Sequence, residues 1–219
     1  VTETTPDETT VSLSATNTNE GEGTVTFTAT LSNPVLEGDD PVVVHTTLGD
    51  ITIKAGESTG TLEVTNPNTE DVYKDASTLD NAITSVEGGN FENLTASTDT
   101  VTANIADTID DTTVTLTATE SVEAGEDITY TASVDNKPET DLVIKLSNGS
   151  EITIKAGETS GSVTVASADD VYGQTDGKTQ TVEITGTTGG NYENLDTSDT
   201  ATTTVTETTP DETTVSLSA

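Results

Sequence analysis

The sequence predicts an all-β protein made of two tandem immunoglobulin-like β-sandwich domains arranged end to end. Three observations support this fold class. Apolar and polar residues alternate with a period of two, and the abundant Thr, Val and Ile favour pleated structure. Helical spacing of apolar residues is not visible over any useful window. The chain also repeats itself at an interval of about 100 residues, a normal size for an independent sandwich domain.

The repeat is visible at two scales. TTVSLSATNTNEGEGTVTFTA from Thr9 returns as TTVTLTATESVEAGEDITYTA from Thr112, an offset of 103 residues. The first fifteen residues, VTETTPDETTVSLSA, also recur unchanged as Val205–Ala219, an interval of 204 residues. Such identity indicates one period of a tandem array. The function must therefore be one that a chain of many such repeats can perform.

The repeat divides the chain into two domains with linkers. We predict a linker over residues 1–8, a first domain over 9–108, a short linker over 109–112 and a second domain over 113–208. Residues 209–219 then hold a further linker and the first strand of another repeat.

The alternation predicts seven strands in the first domain and matching strands in the second. Seven short strands with turn signals about every ten residues are typical of an immunoglobulin-like sandwich. The strands of the first domain are expected near residues 11–16, 24–32, 42–47, 51–54, 59–65, 79–86 and 98–106.

An Asp-Val-Tyr triplet precedes the sixth strand of each domain. Sandwiches of this kind often keep a tyrosine at that corner, with its hydroxyl bonded to nearby backbone. We therefore interpret Tyr73 and Tyr172 as structural corner residues.

Composition excludes several classes of function. Forty acidic residues against six lysines give a formal charge of -34, which argues against nucleic acid and anionic lipid as partners. The chain has no cysteine, hence no disulfide and no thiolate zinc site. No apolar run is long enough for a membrane helix or a signal peptide, so we expect no direct membrane insertion. We also expect a monomer. The high charge and modest apolar content leave one alternative, a chain that is disordered without its ligand.

Strand direction predicts where the acidic loops meet. If successive strands alternate in direction, the first, third and fifth loops lie at the end where the last strand leaves the domain. In the first domain this end would gather nine carboxylates, which are those of Glu20, Glu22, Asp50, Glu70, Asp71, Asp75, Asp107, Asp110 and Asp111.

Clustered carboxylates without His, Cys or Arg partners suit a hard cation with six to eight oxygen ligands, and this predicts Ca²⁺. The alternative is that the acids are solvated loop residues that only confer solubility. The candidate metal ligands are Glu20, Glu22, Asp71, Asp107, Asp110, Asp111, Glu123, Glu126, Asp135, Asp141, Asp170, Glu207 and Asp211.

The sequence does not predict an enzyme. His45, the only histidine, lies in an apparent strand, and the corresponding region of the second domain, near Lys145 and Leu146, offers no catalytic companion. The paired acids lie in loops, are numerous and repeat in both domains, which differs from a glycosidase cleft. We expect no catalytic residues.

Several runs closely resemble the extender repeats of giant bacterial biofilm adhesins of the Lap and ice-binding RTX type. They are Ile105–Ala118 (IADTIDDTTVTLTA), Ser147–Gly149 followed by Ile152–Gly157, Asp169–Tyr172, and Gly189–Leu195 (GGNYENL). The resemblance implies tandem immunoglobulin-like domains, rigidified by calcium, that project terminal ligand-binding domains from the outer membrane of a Gram-negative cell. It also implies type I secretion and neighbouring repeats of the same chain as partners.

We therefore expect a calcium-rigidified spacer, and two alternatives remain open. The repeats could themselves bind glycan, a surface or another adhesin copy, which would need an exposed aromatic or apolar patch. A weaker resemblance to Calx-β modules, carried by the acidic first and fifth loops and the acidic tail, implies instead a calcium-sensing domain.

Overall fold

The computed structural model describes residues 7–168, 177–207 and 212–218. Every regular element in these ranges is a β-strand, which confirms the all-β prediction. The chain divides into two compact units: unit 1 holds Val1–Asp71 and Asp75–Thr108, and unit 2 holds Val72–Lys74 and Ile109–Ala219. Within the described ranges, no helix has the length and apolarity needed to cross a membrane.

Unit 1 is a sandwich of two sheets. Its strands are β1 (Glu8–Ala15), β2 (Thr18–Asn19), β3 (Thr24–Leu31), β4 (Val42–Thr46), β5 (Asp50–Ile53), β6 (Thr59–Thr65), β7 (Ser77–Gly88), β8 (Asn93–Ala96) and β9 (Thr100–Ala106). One sheet has the order β6-β3-β1-β8 and the other the order β5-β4-β7-β9-β2.

The alternating residues of unit 1 form its core as the pattern predicts. In β3, Val25, Phe27 and Ala29 are fully buried, whereas the threonines between them are only half-buried. Ile51 and Ile53 of β5 are also fully buried and pack in the same core as Val42 and Val44 of β4. Burial of such side chains contributes roughly 1.5–3 kcal/mol each to the stability of the sandwich.

Unit 2 repeats this arrangement. Its strands are β10 (Asp111–Ala118), β11 (Ser121–Glu123), β12 (Asp127–Val134), β13 (Leu142–Leu146), β14 (Glu151–Ile154), β15 (Ser160–Ala166), β16 (Lys178–Thr188), β17 (Asn194–Asp196) and β18 (Thr200–Thr206). The sheet orders are β15-β12-β10-β17 and β14-β13-β16-β18-β11, which match unit 1 strand for strand.

The seven predicted strands of the first domain are all present, and two short strands were missed. β2 pairs parallel with β9, and β8 pairs parallel with β1. β2 has only two residues, and β8 shows no alternation of buried and exposed positions, so the period-two pattern does not reveal them. The missed strand β2 matters most, because the turn that follows it carries Glu20.

Candidate metal centre

Three carboxylates of unit 1 lie together where the last strand of the unit ends. Glu20 follows β2, Asp75 precedes β7 and Asp107 follows β9. One oxygen from each carboxylate lies within 4.8 Å of the others. We call these three residues the acidic cluster. They come from the first loop, the fifth loop and the exit segment, which strand direction predicted to meet at this end.

Pairing of β2 with β9 explains why Glu20 points inward. The register matches Asn19 with Ala106, and the Glu20 backbone N–H continues the pair by donating to the Ala106 carbonyl at 2.9 Å. Gly21 then turns the chain with a φ of 69°, a conformation that disfavours side chains with a Cβ. As a result the Glu20 side chain is only 1% exposed.

Thr108 holds one oxygen of this buried carboxylate. Its backbone N–H donates to Glu20 Oε1 at 2.8 Å, and its hydroxyl lies 3.3 Å from the same oxygen. The Thr108 hydroxyl also donates to Glu70 Oε1. Glu20 therefore fixes the segment that leaves β9 against the turn after β2.

Two buried asparagines position Asp75. Asn66 donates its side-chain N–H to the Asn19 carbonyl at 2.9 Å, and its Oδ1 accepts the backbone N–H of Asn68 at 3.0 Å. Asn68 in turn donates its side-chain N–H to Asp75 Oδ1 at 2.9 Å. The Asp75 backbone N–H then reaches Asp107 Oδ1 at 3.3 Å, which completes the cluster.

The acidic cluster could hold a metal ion. At an effective dielectric constant near 20, two like charges about 5 Å apart repel by about 3 kcal/mol, and the repulsion is least screened at the buried Glu20. A bound cation offsets this repulsion. The donor set consists of carboxylates alone, without His or Cys, which fits a hard cation such as Ca²⁺ rather than Zn²⁺.

Glu22 and Asp71, the other candidate ligands of unit 1, lie outside the acidic cluster. Glu22 accepts a hydrogen bond from the Thr18 hydroxyl and borders a shallow cavity beside Asn104. Asp71 is half-buried. Asp75, by contrast, is in the cluster although it was not a candidate ligand. Strand direction had placed it among the nine carboxylates gathered at this end, and its hydrogen bond with Asn68 explains why it joins the cluster.

Unit 2 has a different residue at the position of Glu20. The N–H that donates to the last residue of β18, Thr206, belongs to Ala124, at 2.8 Å. Gly125 follows with a φ of 83°, as Gly21 does in unit 1. Ala124 is 6% exposed and takes the buried position, while Glu123 is exposed.

A shift of register inside the turn causes this difference. Thr16 and Thr119 make the same backbone bond, to the carbonyls of Thr26 and Thr129 respectively. Between that bond and the turn glycine, unit 2 carries one more residue than unit 1. The acidic residues of the two turns therefore align in sequence but differ in position. Glu126 Oε2 accepts the Glu123 backbone N–H at 3.3 Å instead.

Two further candidate ligands of unit 2 accept hydrogen bonds from residues of the same unit. Asp111 accepts from the Asn194 side chain at 2.6 Å, and Asp135 from the Thr113 backbone at 3.0 Å. Glu207 is half-buried just after β18. Asp170 and Asp211 lie outside the described residues.

Asp141 is held by Lys155. Its carboxylate accepts from Lys155 Nζ at 2.7 Å and from the Ala156 backbone at 3.0 Å. The hydrogen bond from Lys155 lowers the pKa of Asp141 below its ordinary value. This carboxylate already has a cationic partner, which disfavours it as a metal ligand.

In each unit, one glutamate accepts a hydrogen bond from the backbone at the start of the unit, and the two glutamates are equivalent. Glu193 Oε2 accepts the Asp110 backbone N–H at 2.7 Å, and Glu92 Oε2 accepts the Asp7 backbone N–H at 2.8 Å. Asp110 thus contributes its backbone here, and the repeated Asn-Phe/Tyr-Glu-Asn sequence has a structural role.

The corner prediction for Tyr73 is wrong. Tyr73 lies in the three-residue segment of unit 2, and its hydroxyl donates to the distant Lys137 carbonyl at 2.6 Å. Its ring stacks on Tyr192, with centroids 5.7 Å apart and an interplanar angle of 27°. Tyr172 lies outside the described residues.

His45 lies between two exposed acidic side chains. Its Nδ1 lies 2.7 Å from Asp50 Oδ1 and its Nε2 lies 3.5 Å from Glu87 Oε1. The hydrogen bond to Asp50, with a smaller effect of Glu87, raises the pKa of His45 above 6.5. Lys145 and Glu151 face each other at the equivalent strand positions of unit 2, with 4.0 Å between their charged atoms.

The comparison with family models identifies both repeats. A family model described as LapA domain matches residues 7–108 and again residues 110–208. No curated protein matches the chain.

Proposed function

The chain belongs to the LapA domain family, and on that premise we propose that it is a calcium-rigidified spacer of a cell-surface adhesin. Family membership indicates part of a Lap-type adhesin, and hence a protein of the cell surface with a structural rather than enzymatic role. The spacer would project terminal ligand-binding domains away from the cell. The tandem repeats support this role, because near-identical copies extend reach.

The proposal that the spacer binds calcium rests on the buried Glu20 carboxylate beside Asp75 and Asp107. These three residues would hold the ion through their carboxylate oxygens, and calcium would supply the positive charge that offsets their mutual repulsion. Glu20 lies in the turn after β2, Asp75 lies in the segment before β7, and Asp107 lies in the segment that leaves β9. A cation held by all three ties together loops that otherwise repel one another.

Energetics fit an extracellular site. A ligand that binds only the folded state stabilises it by about 2.7 kcal/mol at one hundred times its dissociation constant. Loop-built sites in extracellular modules have dissociation constants of roughly 10⁻⁴–10⁻³ M. The chain would then stay flexible where calcium is scarce, which would ease export, and stiffen outside the cell.

The described side chains give less support to a module that binds glycan or surfaces. Such a module needs an exposed aromatic or apolar patch. The described aromatic residues Phe27, Tyr73, Phe91, Tyr130 and Tyr192 are all buried or half-buried. For this reason the spacer is preferred.

Small-angle X-ray scattering with calcium and with excess chelator tests the spacer. We expect a rigid particle in calcium and a looser or partly unfolded chain in chelator, seen in the maximum dimension and the flexibility of the particle. Coincident profiles would contradict the proposal and return the acids to a solubilising role.

A further inference from the structure

The segment Val72–Lys74 shows how one unit binds a Val-Tyr sequence. The Lys74 backbone N–H donates to the Asn191 carbonyl at 3.0 Å, and the Val72 carbonyl accepts from the Glu193 N–H at 3.0 Å. The Tyr73 ring stacks on Tyr192, and the Tyr73 hydroxyl reaches a backbone carbonyl. All of these groups belong to unit 2.

Unit 1 has the same backbone at the equivalent turn. Asn90 has a φ of 51° where Asn191 has 63°, and both asparagines follow a pair of glycines with positive φ. Gly56 donates to the Val35 carbonyl as Gly157 donates to that of Pro138. Val35 is therefore equivalent to Pro138, which makes the Pro34 carbonyl equivalent to the Lys137 carbonyl that Tyr73 binds.

In unit 1 this surface is an open cleft of about 640 Å³ lined by Asn33, Pro34, Leu36, Asn90 and Phe91, among others. Leu36 is 67% exposed there. Phe91 is half-buried, whereas its counterpart Tyr192 is 4% exposed and has Tyr73 stacked on it. The surface that the Tyr73 ring covers in unit 2 is thus open in unit 1.

We propose that this cleft of unit 1 binds the Val-Tyr segment of the preceding repeat in the array. By the 204-residue period, that segment has the sequence of Asp170-Val171-Tyr172. The tyrosine ring stacks on Phe91, its hydroxyl donates to the Pro34 carbonyl, and the N–H of the next residue donates to the Asn90 carbonyl. The segment passes beside Leu36, at the position where Glu139 of unit 2 shares the Asn191 side chain with the Lys74 carbonyl.

This inference rests on the tandem-array part of the proposed function and does not depend on calcium. Its contacts are hydrogen bonds to backbone carbonyls and an aromatic pair. Covalent linkage within one chain raises the effective concentration of the segment, so a short contact suffices.

Photo-crosslinking in a chain of two joined periods tests the docking. Leu36 of the second copy is replaced by p-benzoylphenylalanine, and crosslinked peptides are identified by mass spectrometry after irradiation in calcium. The same replacement at Glu139 is the matched control, since Glu139 bonds to Asn191 beside Lys74 and should capture Val72–Lys74.

We expect the probe at Leu36 to capture the Val171-Tyr172 peptide of the first copy. Tyr172→Ala in the first copy should then abolish that crosslink and leave the Glu139 control unchanged. A Glu139 control that succeeds while the Leu36 probe captures no such peptide overturns the inference. If the crosslink forms but scattering is insensitive to calcium, the calcium proposal fails and the docking stands.

Discussion

The turn after β2 in unit 1 and the turn after β11 in unit 2 have similar acidic sequences and different interiors. Unit 1 buries Glu20 against Asp75 and Asp107, whereas unit 2 buries Ala124 and leaves Glu123 in solvent. One residue of register inside the turn accounts for the difference. Acidic composition at a loop is thus insufficient to bury a carboxylate, because backbone pairing decides which side chain turns inward.

Among the variants that test this comparison, Ala124→Glu should have the largest effect on stability. It places a carboxylate at the buried position of unit 2, and an uncompensated buried charge costs about 3–5 kcal/mol. The cost should grow as pH rises above about 4.3, where glutamate ionises in the unfolded chain. Urea unfolding across pH measures it. Ala124→Gln is the control, and a pH-independent cost shared with it would contradict the account.

Removing the buried carboxylate of unit 1 should abolish the response to calcium. For Glu20→Gln we expect loss of about 2.7 kcal/mol of stabilisation at one hundred times the wild-type dissociation constant. Thermal unfolding with calcium and with chelator measures this loss. Glu22→Gln removes a charge from the same turn outside the acidic cluster and should respond like the wild type; an equal loss there would contradict the role of Glu20.

Tyr192→Phe should give unit 2 the ring that unit 1 has at Phe91. The Tyr192 hydroxyl donates to the Asn136 carbonyl at 2.5 Å, and burial raises the pKa of Tyr192 to about 12. Loss of this hydrogen bond should cost about 1 kcal/mol. Denaturant unfolding of the variant checks the value, and Phe91→Tyr is the reciprocal variant. A cost near zero would indicate that the hydroxyl bond is unimportant to unit 2.

The smallest expected difference between the two units is a dependence of stability on pH that arises from His45 and is confined to unit 1. Because Asp50 raises the pKa of His45, the pair stabilises unit 1 fully below pH 6.5, and this stabilisation is lost as pH rises through the raised pKa. The equivalent position of unit 2 holds Lys145 in place of a histidine. NMR titration of the imidazole should give a pKa above 6.5 that falls in Asp50→Asn. An unchanged pKa in that variant would contradict the pairing.

Much of the fold could be predicted from the sequence because period-two patterning is strong. Alternating residues such as Val25, Phe27 and Ala29 in β3 are indeed buried. β2 could not be predicted, since two residues show no period and its pairing with β9 is not local. Tyr73 was misassigned because a sequence motif does not specify which unit of a repeat protein its side chain joins.

The acidic cluster was only partly predictable. Strand direction correctly suggested that the first and fifth loops meet the exit segment, which brings Glu20 and Asp107 together. Strand direction also placed Asp75 at this end, but its selection over Glu22 and Asp71 depends on the hydrogen bonds of Asn66 and Asn68, which no spacing rule reveals. The register shift at Ala124 is also invisible in an alignment that matches acid to acid.

Hydrogen–deuterium exchange of the whole chain, compared between calcium and excess chelator, tests the central claim most directly. We expect calcium to slow amide exchange at the turn around Glu20, before β7 and after β9, with a smaller change at the turn that holds Ala124. Unchanged exchange around Glu20, or an equal change in both turns, would contradict the account.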